Sequence, residues 1–290
     1  MAIPPVQPHE YADLFHFENE RLLTLLRSLE PADWSRPTRC PGWDVHGLTA
    51  HLVGGSFSVI SWLRDGFRGT RAPDNLDEAG FVAWLDELQD HWVLAARRMS
   101  PPLVIEVLEW SAAGFLEALR RHDPGVVGAH VSWAGNDPVP MWLDHARELT
   151  EKWIHRQQIL EALDRPSDLR ADLLVPVLDA LRWAFPFRLD VYSRPAGTEV
   201  EVAVGTVDGV GTVDAGVELR WNLTSDGRSW TFAEAHCTEP AATIRLTPDQ
   251  AWRLLTNNYD PAAHGSFATS GDAEILDTLL QTRAIIGVPK

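Results

Sequence analysis

The sequence predicts an α-helical bundle followed by a smaller α+β domain, and three observations carry that reading. At 290 residues the chain exceeds the usual size of a single domain. Its first half holds long stretches whose apolar residues recur near the helical period, with no strand signal before residue 190. After Pro166 the texture changes to polar–apolar alternation broken by glycine-rich turns. The boundary is expected near residue 168, giving 1–168 as the bundle and 169–290 as the α+β part.

The first helix is expected over Glu10–Leu29, where Leu14, Phe15, Leu22, Leu25, Leu26 and Leu29 share a face, and it stops ahead of Pro31. A turn-rich segment, Pro37 to Trp43, leads to Asp44, a suitable N-cap for a helix from Val45 to about Phe67. A third helical region spans Leu76–His122 and breaks at Pro101-Pro102. Asp123–Val139 reads as a loop, and a fourth helix runs from near Pro140 to Leu163. Long amphipathic helices joined by loops indicate a helix bundle.

In the second half a helix is expected over Ala171–Phe187. Strands follow at Glu199–Val204, Val217–Leu223, Ser229–Ala233 and Ala242–Leu246, with turns at Gly205, Gly209 and Gly211. Two helices, Asp249–Asn257 and Asp272–Ile285, finish a small sheet with packed helices.

Composition narrows function. A formal charge of −16 opposes binding a polyanion over a large surface, so nucleic acid is not an expected partner. No run of about 18 apolar residues suggests a membrane span, and the N-terminus lacks the basic and apolar regions of a signal peptide, so a cytoplasmic protein is expected. Two cysteines, Cys40 and Cys237, are too few for a thiolate zinc knuckle, leaving histidines and carboxylates for any metal. Lys152 and Lys290 are the only lysines; with abundant Ala and 13 Trp this suggests a GC-rich, actinobacterial-type genome.

The sharpest local feature is Glu151-Lys-Trp-Ile-His155. A carboxylate and an imidazole four residues apart lie on one helical face and can grip one cation, though an ordinary surface pair has the same spacing. His51 lies mid-helix in an apolar stretch, as a core histidine bonded to a carbonyl or as a third ligand. Two nitrogens and one carboxylate oxygen would leave one position open, as in catalytic zinc sites; nickel and iron accept the same donors. His46 and His145 are rival ligands. Glu148, one turn before Glu151, either supports a ligand or pairs with Arg147. Cys40 reads as a small buried residue and Trp43 as a core residue fixing the loop before the His51 helix.

The stretch Thr38-Arg-Cys-Pro-Gly-Trp43-Asp-Val-His-Gly-Leu-Thr-Ala-His51-Leu resembles a signature of the mycothiol-dependent maleylpyruvate isomerase family, within the DinB-like superfamily. Thr150-Glu151-Lys-Trp-Ile-His155 through Pro166 is similar to that family's second metal motif. The resemblance implies a DinB-like four-helix bundle in which His51, Glu151 and His155 coordinate zinc. Gly271 to Arg283 is similar to the family's terminal helix. That likeness implies a sterol-carrier-like C-terminal domain closing over the metal, with Arg283 as a catalytic residue. Leu279 and Thr282 depart from the family's Trp and Gly, so the wall beside Arg283 differs; a surface salt bridge is the plain alternative for this arginine.

What the resemblance implies is a zinc enzyme with mycothiol as cosubstrate. A thiol at the open position would be deprotonated and would add to an electrophilic small molecule, giving an isomerase or an S-transferase. A hydrolase using zinc-bound water, or a non-enzymatic binding protein for a metal and a hydrophobic ligand, stands as the alternative. The expected assembly is a monomer or a homodimer.

Overall fold

The computed structural model describes residues 3, 9–205, 217–235 and 237–284, apart from the side chain of Glu78. The expected turns at Gly209 and Gly211, and the end of the last helix at Ile285, lie outside the described residues. Contacts group the chain into two units. Among the described residues, one holds 9–126 with His145–Asp168, and the other holds Val127–Asp144 with the described chain from Leu169 to Ala284.

The first unit is helical. Helix α1 (Tyr11–Arg27) is followed by a 3₁₀ turn at Asp33–Ser35, then α2 (Val45–Asp65), α3 (Glu78–Ala96), α4 (Pro101–Arg120) and the length of α5 (Met141–Ala162) from His145 onward. Asp44 caps α2 by accepting from the Gly47 amide, as its position predicts. The third helical region is two helices. Residues 97–100 interrupt it, so that Pro101 and Pro102 occupy the first turn of α4, where no intrahelical donor is needed. Leu22, Leu26, Leu48, Leu52, Val53, Val104, Leu108 and Ile159 interlock in the core. Helix α2 packs on both α3 and α4. The approach of α3 is close: a Cβ on Gly54 would stand 2.6 Å from the Trp92 indole nitrogen, which donates to the Ala50 carbonyl at 2.7 Å.

The second unit carries the strands. Two short ones, β1 (Val127–His130) and β2 (Pro138–Pro140), form an antiparallel hairpin in a segment expected to be loop. Its three or four residues per strand, with prolines at both ends of β2, are too brief and too proline-rich for period-two reading. Helix α6 (Ala171–Leu181) and helix α7 (Ala184–Leu189) replace the single helix expected over 171–187. The break at Arg182–Trp183 puts Pro186 in the first turn of α7, where its missing N–H costs nothing.

The main sheet has the order β5-β4-β3-β6-β7: β3 (Glu199–Val204), β4 (Leu219–Ser225), β5 (Trp230–Ala233), β6 (Ala242–Leu246) and β7 (Ala268–Gly271). Its β3–β6 pair is parallel and the other pairs are antiparallel. Helices α8 (Pro248–Leu255), α9 (Pro261–His264) and α10 (Ala273–Gln281) complete the unit. Strand β7 and the single turn of α9 fall where no periodic signal exists. Among the described residues no helix is long and apolar enough to cross a membrane.

Candidate metal centre

Three side chains on two helices of the first unit converge. His51 comes from the middle of α2, and Glu151 and His155 from adjacent turns of α5. His51 Nε2 stands 2.9 Å from Glu151 Oε1, and His155 Nε2 stands 3.0 Å from the same oxygen. The two rings meet edge to face with centroids 5.0 Å apart. Among the described residues these three are the one group of three or more His, Cys, Asp or Glu whose donor atoms all lie within 4.8 Å of one another. Both imidazoles are nearly buried, at 12% and 11% side-chain exposure, while Glu151 is 46% exposed. The cluster therefore has an open side at its carboxylate.

Local sequence builds this corner. Gly42, at φ +83°, turns the chain before α2, a conformation that suits glycine. Thr38 Oγ1 donates to the Trp43 carbonyl at 2.8 Å and accepts from the Cys40 amide at 3.1 Å. The turn sets the Trp43 ring against His51, centroids 4.9 Å apart and tilted by 34°. Trp43 Nε1 then donates to Asp90 Oδ1 of α3 at 2.8 Å. Trp43 is therefore a wall of the cluster rather than a residue of the deep core.

The inner faces of the histidines are set by their outer faces. His51 Nδ1 lies 3.2 Å from Gln89 Oε1, and His155 Nδ1 lies 2.7 Å from Gln158 Oε1. An amide oxygen only accepts, so each Nδ1 carries a hydrogen and each Nε2 is the nitrogen that faces Glu151. Two imidazole nitrogens thus share one carboxylate oxygen at hydrogen-bond distance, where a proton, or a metal ion in its place, satisfies the three atoms. Burial works against charge at both Glu151 and His155, but their mutual attraction, with the His51 hydrogen bond, prevails. Glu151 is held well below the usual carboxylate range and His155 well above the usual imidazole range.

The donor set fits a divalent metal. Ligand atoms around tetrahedral zinc, with bonds of about 2.0–2.1 Å, stand about 3.3 Å apart; the two nitrogen–oxygen distances of 2.9 and 3.0 Å fall a few tenths of an ångström short of that, and all three ligand atoms lie within 4.8 Å. Two nitrogens and one oxygen leave a fourth position for an exogenous ligand.

The rival ligands lie elsewhere. His46 is bonded through Nε2 to the Met99 carbonyl at 2.9 Å, and His145 is not part of the converging group. Glu148 pairs with Arg147 at 2.5 Å. Cys40 is half-buried, its thiol donating to Gln158 Oε1 at 3.2 Å, 4.0 Å from His155 Nδ1. Sequence reasoning overlooked Gln89, Gln158 and Lys152. Gln158 had a signal, three residues beyond His155 on the same helical face; Gln89 had none, because its reach depends on how α3 docks on α2. Lys152 is buried, donates to Ser56 Oγ at 3.1 Å and lies 5.2 Å over the Phe115 ring. Burial lowers its pKa to about 8 against the pull of Glu148, Glu18 and Glu151.

Arg283 belongs to the second unit, just beyond α10. Its Nη1 donates to the Leu280 and Thr282 carbonyls at 2.9 and 2.8 Å, and its Nε to Asn257 Oδ1 at 3.4 Å. Burial and the neighbouring Arg188 on α7 lower its pKa. Among the described residues no carboxylate pairs with it, so the plain salt-bridge alternative does not apply within that set. Leu279 and Thr282, the departures from the family pattern, are both fully buried.

Comparison with known proteins identifies the fold and the family. Two crystal structures of a mycothiol-dependent maleylpyruvate isomerase share the fold. One is of a histidine-to-alanine mutant, with a TM-score of 0.54 at 11% identity; the other has a TM-score of 0.52 at 12% identity. Each superposition covers 90% of this chain and 92% of the other. No curated protein matches by sequence at a significant level. Residues 15–160, which include all three converging side chains, match the model of the mycothiol maleylpyruvate isomerase N-terminal domain. The chain belongs to the mycothiol-dependent maleylpyruvate isomerase family of enzymes.

Proposed function

We propose that this protein is a zinc-dependent enzyme that activates a low-molecular-weight thiol, mycothiol, for addition to an electrophilic small molecule, acting as an isomerase or an S-transferase. The helical part, 1–168, would hold the metal, and the α+β part, 169–290, would supply Arg283. The observation that carries the reading is the convergence of three potential ligand atoms, from His51, Glu151 and His155, within 4.8 Å of one another. Nickel or iron would suit the same donors.

When bound, a divalent cation supplies positive charge that stabilises the thiolate form of a thiol at neutral pH. The protein's residues determine what that charge is worth. His51 and His155 contribute neutral nitrogens and Glu151 the only negative charge, so the three leave one positive charge of a dication uncompensated. That excess favours an anionic sulfur over a neutral ligand. Trp43 shields one face of His51 from water, which keeps the local electrostatics strong. Arg283 would hold a substrate carboxylate, or the negative charge that develops on a substrate oxygen, through Nη2, the nitrogen that its contacts to Leu280, Thr282 and Asn257 do not engage.

Metal analysis of protein purified without chelators, beside His51→Ala and Glu151→Ala, tests the site. Near-stoichiometric metal in the wild type, lost in both variants at unchanged helicity, is the expected result; retention of metal in both variants would end the proposal. Mycothiol should raise the melting temperature of the metal-loaded protein and leave the metal-free protein unmoved. Turnover without any added thiol would favour a hydrolase using the same ligands. Arg283→Gln should lower kcat/KM by at least tenfold for a carboxylate-bearing substrate, and Arg283→Lys should restore only part of it, because a flexible ammonium cannot keep the contacts that fix the guanidinium in place.

A further inference from the structure

Both histidines of the cluster are gripped from behind by the same chemical group. Gln89, on α3, meets His51 Nδ1 at 3.2 Å, and Gln158, on α5, meets His155 Nδ1 at 2.7 Å. The two glutamines reach the site from different helices and by unrelated routes. Gln158 is buried and three residues from the histidine it holds; Gln89 is half-buried and 38 residues from its partner. Each grip is reinforced. The Cys40 thiol donates to the same Gln158 oxygen at 3.2 Å, which fixes that oxygen as an acceptor. Asp90, next to Gln89 on α3, holds Trp43 at 2.8 Å, and Trp43 lies against the His51 ring. Two neighbouring residues, Gln89 and Asp90, therefore tie α3 to the His51 corner although α3 supplies no ligand.

We propose that Gln89 and Gln158 are the positioning residues of the metal site, selecting the tautomer that turns both Nε2 lone pairs toward the cation; the inference rests on the metal-binding reading given above. A neutral imidazole has two tautomers of similar energy, and only the one with hydrogen on Nδ1 leaves Nε2 free to bind a metal. The other tautomer would place an Nε2–H against Glu151 Oε1, satisfy both groups by a plain hydrogen bond, and close the site to a cation. An acceptor behind Nδ1 keeps a hydrogen there, so that the proton facing Glu151 is the one a cation displaces. The choice of an amide over a carboxylate has a further consequence. A carboxylate would draw the Nδ1 proton, raise the ring's basicity and add negative charge to the site, whereas an amide fixes orientation and adds none. With two amides the centre keeps its single excess positive charge, which suits an anionic fourth ligand.

The experiment uses the full-length protein and two metals. Zinc affinity is read by competition with a chromophoric chelator, and the cobalt-substituted protein reports ligand geometry through its visible absorption. Gln89→Leu and Gln158→Leu remove the acceptor at nearly constant volume, and each should weaken zinc binding about 10- to 100-fold. Both should broaden or weaken the cobalt bands, with the melting temperature of the metal-free protein little changed. Gln89→Glu and Gln158→Glu restore an acceptor in the same place and should bind zinc at least as tightly as wild type. If the Leu variants bind zinc like the wild type, or if the Glu variants are as weak as the Leu variants, the proposal is overturned. Should Gln158→Leu fail to fold, the half-buried Gln89 pair decides the matter alone. A wild-type protein that binds neither metal would instead overturn the metal-binding reading, a result distinct from failure of the glutamine assignment.

Discussion

Helix α5 carries two polar clusters on adjacent residues, and they are built on opposite plans. Arg156 donates to Glu18 through Nε at 2.6 Å and Nη2 at 2.9 Å, and to Asp168 through Nη1 at 2.8 Å. Arg21 donates to the same Asp168 oxygen at 2.8 Å. Two carboxylates meet two guanidiniums that never lose their protons, so the charge closes within the chain. One residue earlier, His155 joins His51 and Glu151 in a cluster of two imidazoles and one carboxylate, whose charge depends on a proton or on a metal ion. The contrast separates two uses of polar side chains on one helix: a cluster whose charges are fixed and cancel, and one whose charge can exchange with its surroundings. Even the closed cluster has a cost. Burial raises the Glu18 pKa despite Arg156, a sign that desolvation offsets much of the attraction.

The largest effect that would test this contrast is on the closed cluster. Arg156→Leu leaves Glu18 buried without its cation and should cost about 3–5 kcal/mol in denaturant unfolding of the metal-free protein. Glu18→Leu combined with Arg156→Leu should recover most of that loss, because an apolar replacement of a buried pair is often near neutral. A single substitution costing under about 1 kcal/mol would show that the cluster orders nothing.

Next comes the open cluster. Zinc at a thousand times its dissociation constant should stabilise the wild type by about 4 kcal/mol, measured as a shift of the unfolding midpoint. Glu151→Gln should abolish most of that increment while leaving Arg156 and its partners intact. An undiminished zinc shift in this variant would remove Glu151 from the ligand set.

The pH dependence sharpens the difference further. Folding raises His155 above its ordinary 6.5 and lowers Glu151 below its ordinary 4.5. The His155 contribution is fully present below pH 6.5 and is lost as pH rises through the raised value. The Glu151 contribution is present above pH 4.5 and is lost as pH falls through the lowered value. The metal-free protein should therefore draw most from this pair between pH 4.5 and 6.5 and decline on the alkaline side. Zinc competes with the proton for the same site, so the zinc-dependent increment should grow over the range in which the metal-free protein weakens. Parallel pH profiles with chelator and with excess zinc would contradict this.

The smallest effect is a control. Arg120 and Asp13 form an exposed pair at 2.9 Å, and Arg120→Ala should change stability by less than about 1 kcal/mol. A larger loss would mean that surface charge, rather than burial, governs the comparison.

Much of this was legible in the chain. The helical period marked α1, α2 and α5 to within a few residues, because one face of each is continuously apolar against the core. Strands β3 and β6 were placed at their observed bounds, since both alternate or run apolar between turns. The β1–β2 hairpin, β7 and the break between α6 and α7 were not legible: they are short, and long-range pairing or a single proline decides them. The pairing of Glu151 with His155 follows from four-residue spacing alone. That His51 joins them was suggested by resemblance and not by periodicity, which left it open between core and site.

By itself the sequence determined the long helices α1, α2 and α5, which face of each is apolar, and that one turn of α5 presents a carboxylate and an imidazole together. These are local consequences of a 3.6-residue period and of hydrophobic burial. Only the tertiary structure decided that α2 delivers His51 to the same oxygen, that α3 delivers Gln89 behind it, and that the neighbouring Arg156 closes its own charge instead of sharing it. Such choices depend on how helices far apart in sequence dock, where a shift of one turn would exchange a ligand for a spectator.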